Sequence, residues 1–65
     1  MYSLVGVDGN AFSLMAYTSD ALKKTGHKDL VSKMIKEATS GDYWHLIAVC
    51  DKYVDIANKE LEEEN

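Results

Sequence analysis

The sequence predicts a mainly α domain: a short N-terminal β-strand followed by three helices, with the strand paired across an oligomer interface. Three observations predict it. Apolar residues recur at helical spacing in three separate stretches. Glycine and capping residues punctuate the chain between those stretches. The first seven residues are instead rich in β-formers, and no second run of that kind follows.

The strand is expected over about 2–7, from Tyr2, Leu4, Val5 and Val7. A single strand cannot satisfy its own backbone N–H and C=O groups. It therefore pairs with its copy in a second protomer or with a partner's sheet edge, or it packs on the helices as an extended arm. Tyr2, Leu4 and Val5 become candidate interface residues on this ground.

Asp8-Gly9 is a turn signal, and Asn10 is a good N-cap for the helix that follows. The first helix is expected over about 11–24. Ala11, Leu14, Met15, Thr18, Ala21 and Leu22 form one stripe, and Phe12, Ala16 and Tyr17 widen it to a second face. Lys23 and Lys24 suit the last turn, where cations favour the helix dipole, and Gly26 suits the C′ position.

The second helix is expected over about 28–39, with Leu30, Val31, Met34, Ile35 and Ala38 on its apolar face. Thr39-Ser40-Gly41-Asp42 breaks it, and Ser40 or Asp42 can cap the next. The third helix is expected over about 42–61. Its main stripe is Tyr43, Leu46, Ile47, Cys50, Tyr53, Val54, Ala57 and Leu61. Trp44, Ala48 and Val49 lie outside that stripe and are candidates for a second contact surface. The acidic tail over 62–65 opposes the helix dipole, so fraying is expected there.

Length and charge bound the function. The 65 residues make one domain, 1–65. A chain this short hides only about 60% of the surface its unfolded form exposes, which favours self-association as a source of extra core. The net charge is -4, and every basic residue is Lys. That argues against nucleic acid as a partner, because counterion release and bidentate Arg contacts drive such binding. Cys50 is the only cysteine, so no internal disulfide forms and a cytoplasmic setting is expected. No signal peptide and no membrane-spanning run is visible.

The chemistry in reach is sparse. No metalloprotease, redox, hydrolase or EF-hand motif is present. His27 and His45 lie on different elements without a nucleophile or carboxylate array around them. Asp51 and Asp55 are four apart on helix three and read as solvated surface. No cofactor, metal site or catalytic group is expected, so the chain reads as a binder, not an enzyme. The turn Asp8-Gly9-Asn10 with Tyr43 and Trp44 could hold a small anion such as a nucleotide between protomers, using helix-start N–H groups and aromatic stacking. By its place beside the main stripe, Trp44 is suited equally to the edge of the core and to anchoring a protein interface.

Two blocks carry a resemblance: Val5-Gly6-Val7-Asp8-Gly9-Asn10-Ala11-Phe12, continued by Ser13-Leu14-Met15, and Glu37-Ala38-Thr39-Ser40-Gly41-Asp42-Tyr43 with His45-Leu46. The pair resembles a group of short proteins of no established activity encoded in phages, prophages and bacterial genomes. The resemblance reaches to about Tyr53 and implies a prokaryotic or phage cytosolic setting. It transfers no catalytic residue. In that setting, a phage-derived regulator or inhibitor of a host protein would fit the chain's small size, acidity and lack of catalytic chemistry. Separately, Ser40-Gly41-Asp42-Tyr43 looks like the inter-helix turn of tetratricopeptide-type pairs, which implies antiparallel packing of helices two and three.

Overall fold

The computed structural model describes residues 1–63 and is mainly helical. Helix α1 spans Ala11–Lys24, α2 spans Val31–Ala38 and α3 spans Tyr43–Glu63. The capping chemistry accounts for where they begin and end. Asn10 Oδ1 accepts the Ser13 N–H at 2.8 Å, and Asp8 Oδ1 accepts the Asn10 N–H at 3.1 Å. Asp42 Oδ1 accepts the His45 N–H at 2.9 Å and starts α3. At the end of α1, the His27 N–H donates to the Leu22 carbonyl and the Gly26 N–H to the Lys23 carbonyl. That bond pair is the Schellman arrangement, and Gly26 takes the positive φ of 83° that it requires.

The second helix differs from expectation at its start. Lys28–Leu30 form a 3₁₀ turn, closed by the Leu30 N–H on the His27 carbonyl, and α2 follows it. The third helix runs on through Glu62 and Glu63, where fraying was expected; Leu and Glu are strong helix formers, and their propensity outweighs the unfavourable dipole. The remainder of the acidic tail, 64–65, lies outside the described residues.

The order of contacts along α1 and α3 fixes the topology. Gly9 meets Tyr43, Thr18 lies beside Cys50, and His27 faces Glu60. The positions rise together, so α1 and α3 run parallel. Between them α2 turns back, and Glu37 near its end reaches both His45 and Lys52 of α3. The core lies where the three helices meet: Leu14 and Leu22 from α1, Met34 and Ala38 from α2, and Leu46, Val49, Cys50 and Tyr53 from α3. Val49, placed off the main stripe by its spacing, is buried because α3 meets α1 and α2 at once and needs a wider apolar arc.

The N-terminal strand does not form; among the described residues there is none. The segment is an extended arm interrupted by a turn. The Val7 N–H donates to the Leu4 carbonyl at 3.2 Å, and Gly6 has φ +86°. Gly6 thus holds the third position of the turn, which in type II geometry demands positive φ. Side chains of the helices replace the missing strand partner. The Tyr2 N–H donates to Asn58 Oδ1 at 2.7 Å, and Asn58 Nδ2 donates to the Tyr2 carbonyl at 2.8 Å. The Ser3 N–H donates to the Tyr17 hydroxyl at 2.9 Å. One amide side chain therefore offers Tyr2 the donor and acceptor that a neighbouring strand would offer. The backbone need that called for pairing across an oligomer interface is met within one copy. Leu4 and Val7 pack against the core, and Val5 at the tip of the turn is 90% exposed.

Candidate functional site

The parallel course of α1 and α3 sets their N-termini side by side at one end of the bundle. Four of the residues marked by sequence meet there. The Tyr43 hydroxyl donates to the Gly9 carbonyl, and Asp8 and Asn10 flank that contact within the cap of α1. A Cβ at Gly9 would stand 3.4 Å from the Tyr43 hydroxyl, an ordinary contact, so it is the carbonyl and not the lack of a side chain that ties the turn to α3. Trp44 stands edge-on to the Tyr43 ring, with centroids 5.7 Å apart and planes at 72°. That packing covers little of it, for Trp44 remains 74% exposed.

The electrostatics of this end are acidic. The Asp8 carboxylate sits at the start of α1 and the Asp42 carboxylate at the start of α3. Each already accepts a backbone N–H, and Asn10 accepts another. Helix-start donors engaged by side-chain oxygens are not available to a ligand, and two carboxylates beside them repel an anion. No pocket indents the surface of the described residues.

The other singled-out residues have structural surroundings. His45 Nε2 lies 2.8 Å from the Glu37 carbonyl and 3.2 Å from Ser40 Oγ. Its ring donates to the Glu37 carbonyl at the end of α2, which also accepts the Ser40 N–H and hydroxyl, and so joins the cap of that helix. The ring lies so close over Gly41 that a Cβ there would fall 2.7 Å from it. His27 stands 3.6 Å from the Glu60 carboxylate near the surface. The Cys50 thiol is fully buried, and burial pushes its pKa up, so it is a packing group and a poor nucleophile. Among the described residues no group of three or more His, Cys, Asp or Glu side chains is placed to hold a metal ion. Among the same residues no helix is long and apolar enough to cross a membrane.

The expected interface set divides. Tyr2 is half-buried, held by Asn58 through its backbone and by Tyr17 through an edge-on ring contact at 6.0 Å. Leu4 points into the bundle. Val5 and Trp44 point out, and so does Phe12, at 81% exposure. Sequence reasoning missed Asn58 and Tyr17 as the clamp on the arm. Asn58 carried a signal: it is a poor helix former set one turn after Val54, on the flank of an apolar arc, where an amide needs a partner.

A scan against protein-family models, a search of curated proteins and a search of solved structures each returned no match, so the functional reading rests on the residues themselves.

Proposed function

We propose that this chain is a small protein-interaction module that acts by binding a protein, not by transforming a substrate. The observation that carries the reading is Trp44, a large aromatic side chain left 74% exposed on the helix that forms the spine of the domain. Burying a Trp side chain is strongly favourable, and Trp and Tyr are the residues that most often anchor protein interfaces. Tyr43 beside it and Val5 on the arm add exposed apolar surface. That surface has no pocket, which suits a macromolecular partner better than a small ligand. In its narrower form, drawn from the resemblance to short phage and prophage proteins, the partner is a bacterial host protein that the module regulates or inhibits in the cytoplasm.

Self-association remains one form of this binding, through Trp44 and Val5 and not through strand pairing. The nucleotide reading, built on Asp8, Gly9, Asn10, Tyr43 and Trp44, weighs less because the Asp8 and Asp42 carboxylates occupy the positions an anion would approach.

The test compares immobilised wild type with Trp44→Ala in bacterial lysate, followed by binding to the purified captured protein. A partner that binds wild type and is weakened by the substitution supports the reading. Capture of nothing, in a protein that also stays monomeric at high concentration, overturns it.

A further inference from the structure

The outward side of α3 combines that aromatic with a net acidic charge. Trp44, Asp51, Asp55 and Glu62 are spaced by seven, four and seven residues, and all four are exposed. On an α-helix this spacing places them on one strip, about 27 Å long at 1.5 Å per residue. The arm covers one flank of α3, at Tyr43 and Asn58, and α2 covers the other, at His45 and Lys52. The strip lies in the open sector between them.

Its charge is only partly balanced from within, because Lys59 alone stands against Asp51, Asp55 and Glu62 and leaves the strip net acidic. Among the described residues neither Asp51 nor Asp55 takes part in an ion pair. Lys52, next in sequence, is turned away. Its ammonium lies 3.1 Å from the Glu37 carboxylate and 5.1 Å from the centre of the Tyr53 ring. Lys59 borders the strip beyond Asp55. Like charges four apart on a helix repel and weaken it. Asp51 and Asp55 are such a pair, and a cation brought from outside relieves their repulsion.

We infer that this strip is the docking surface for a basic amphipathic helix of a partner protein. The inference rests on the protein-interaction reading and names the partner's chemistry. An apolar side chain of the incoming helix packs on Trp44, and Lys or Arg side chains at the same seven–four–seven spacing meet Asp51, Asp55 and Glu62. A second helix lying nearly parallel or antiparallel keeps that register along its length. Opposite charge along the strip speeds encounter and selects against acidic partners.

The probe is a synthetic amphipathic helix of Leu and Lys with that spacing, beside its counterpart with Glu in place of every Lys. Trp44 is the only tryptophan, so its emission reports occupancy directly. The expected result is saturable binding of the basic peptide alone, weakened by added salt. By anisotropy of labelled peptide, Trp44→Ala and the double change Asp51→Asn with Asp55→Asn each weaken binding about tenfold or more, while Phe12→Ala leaves it unchanged. All these positions are exposed, so the variants keep their fold, and the double Asn variant melts no lower than wild type.

Equal binding of both peptides, or binding indifferent to the Asp51 and Asp55 changes, overturns the inference. So does a doubling of molar mass that Trp44→Ala abolishes, because a second copy then occupies the surface. A captured partner that needs Trp44 but offers no basic helix overturns this inference alone. Capture of nothing together with silence toward the basic peptide removes the interaction reading as well.

Discussion

The two flanks of the α1–α3 pair are closed by different means. On one side α2 satisfies its own backbone and contributes only side chains: Met34 and Ala38 are fully buried, and Glu37 reaches across to Lys52. On the other side the arm has no repeating hydrogen bonds of its own. Its backbone is held by the Asn58 amide, the Tyr17 hydroxyl and one internal turn. The difference teaches that a helix covers a core through area, whereas a segment without secondary structure covers it through a few specific polar contacts. Damage to the first flank should spread through the whole domain. Damage to the second should free the arm and leave the bundle standing.

The largest expected effect is on the helical flank. Met34→Ala removes a fully buried side chain and should cost about 2–5 kcal/mol, enough to unfold much of a domain this small. Cys50 serves as the clock, since its buried thiol reacts with an alkylating reagent only when the core opens. Alkylation should become much faster in Met34→Ala. A rate equal to wild type would break the comparison.

Next comes the arm. Asn58→Ala leaves the Tyr2 N–H and carbonyl without their partners and should cost about 1–2 kcal/mol. Hydrogen exchange at Tyr2 and Ser3 should rise, with Cys50 alkylation close to wild type. A Cys50 rate matching that of Met34→Ala would show that the two flanks open together. Asn58→Asp keeps the acceptor for the Tyr2 N–H and loses the donor, so it should fall between wild type and Asn58→Ala.

This arm is also where the sequence misleads. The apolar spacing of α1, α2 and α3 is visible because each helix repeats its pattern over at least two turns. Val5 and Val7 are strong β-formers and Leu4 is apolar, but Gly6 in their midst weakens a strand and supplies a positive φ. That glycine was the available sign of a turn. The clamp at Asn58 was harder to see, because it joins residues 56 apart in sequence and no local pattern encodes such a pair. In the candidate site, the caps at Asn10 and Asp42 follow from residue type alone. The contact of Tyr43 with Gly9 does not, since it exists only because α1 and α3 run parallel. Nor does spacing alone say that Trp44 stays out while Val49 turns in; the position of α2 decides that.

Smaller effects sharpen the contrast. Gly6→Ala forces a side chain into φ +86° and should cost about 1 kcal/mol, felt at the arm alone. The smallest effect is on the helical flank and depends on pH. The Lys52 ammonium bonded to Glu37 holds that carboxyl below its usual value of 4.5. A carboxylate with a lowered folded pKa adds stability above the ordinary carboxylate range and loses it as pH falls through the folded value. Wild type should therefore melt slightly higher than Glu37→Gln near neutral pH, and the gap should close in acid. A gap that widens on acidification would show that Lys52 does not engage Glu37 in solution.

The Tyr2–Asn58 clasp has a kinetic consequence. Drawing together residues 56 apart in an otherwise open chain costs about 3–4 kcal/mol of closure entropy, and two hydrogen bonds return only about 1 kcal/mol each. The clasp therefore forms after the helices have assembled and shortened the path between its ends. Weakening it should leave the refolding rate of the bundle nearly unchanged and hasten unfolding, the signature of a contact made downhill of the transition state.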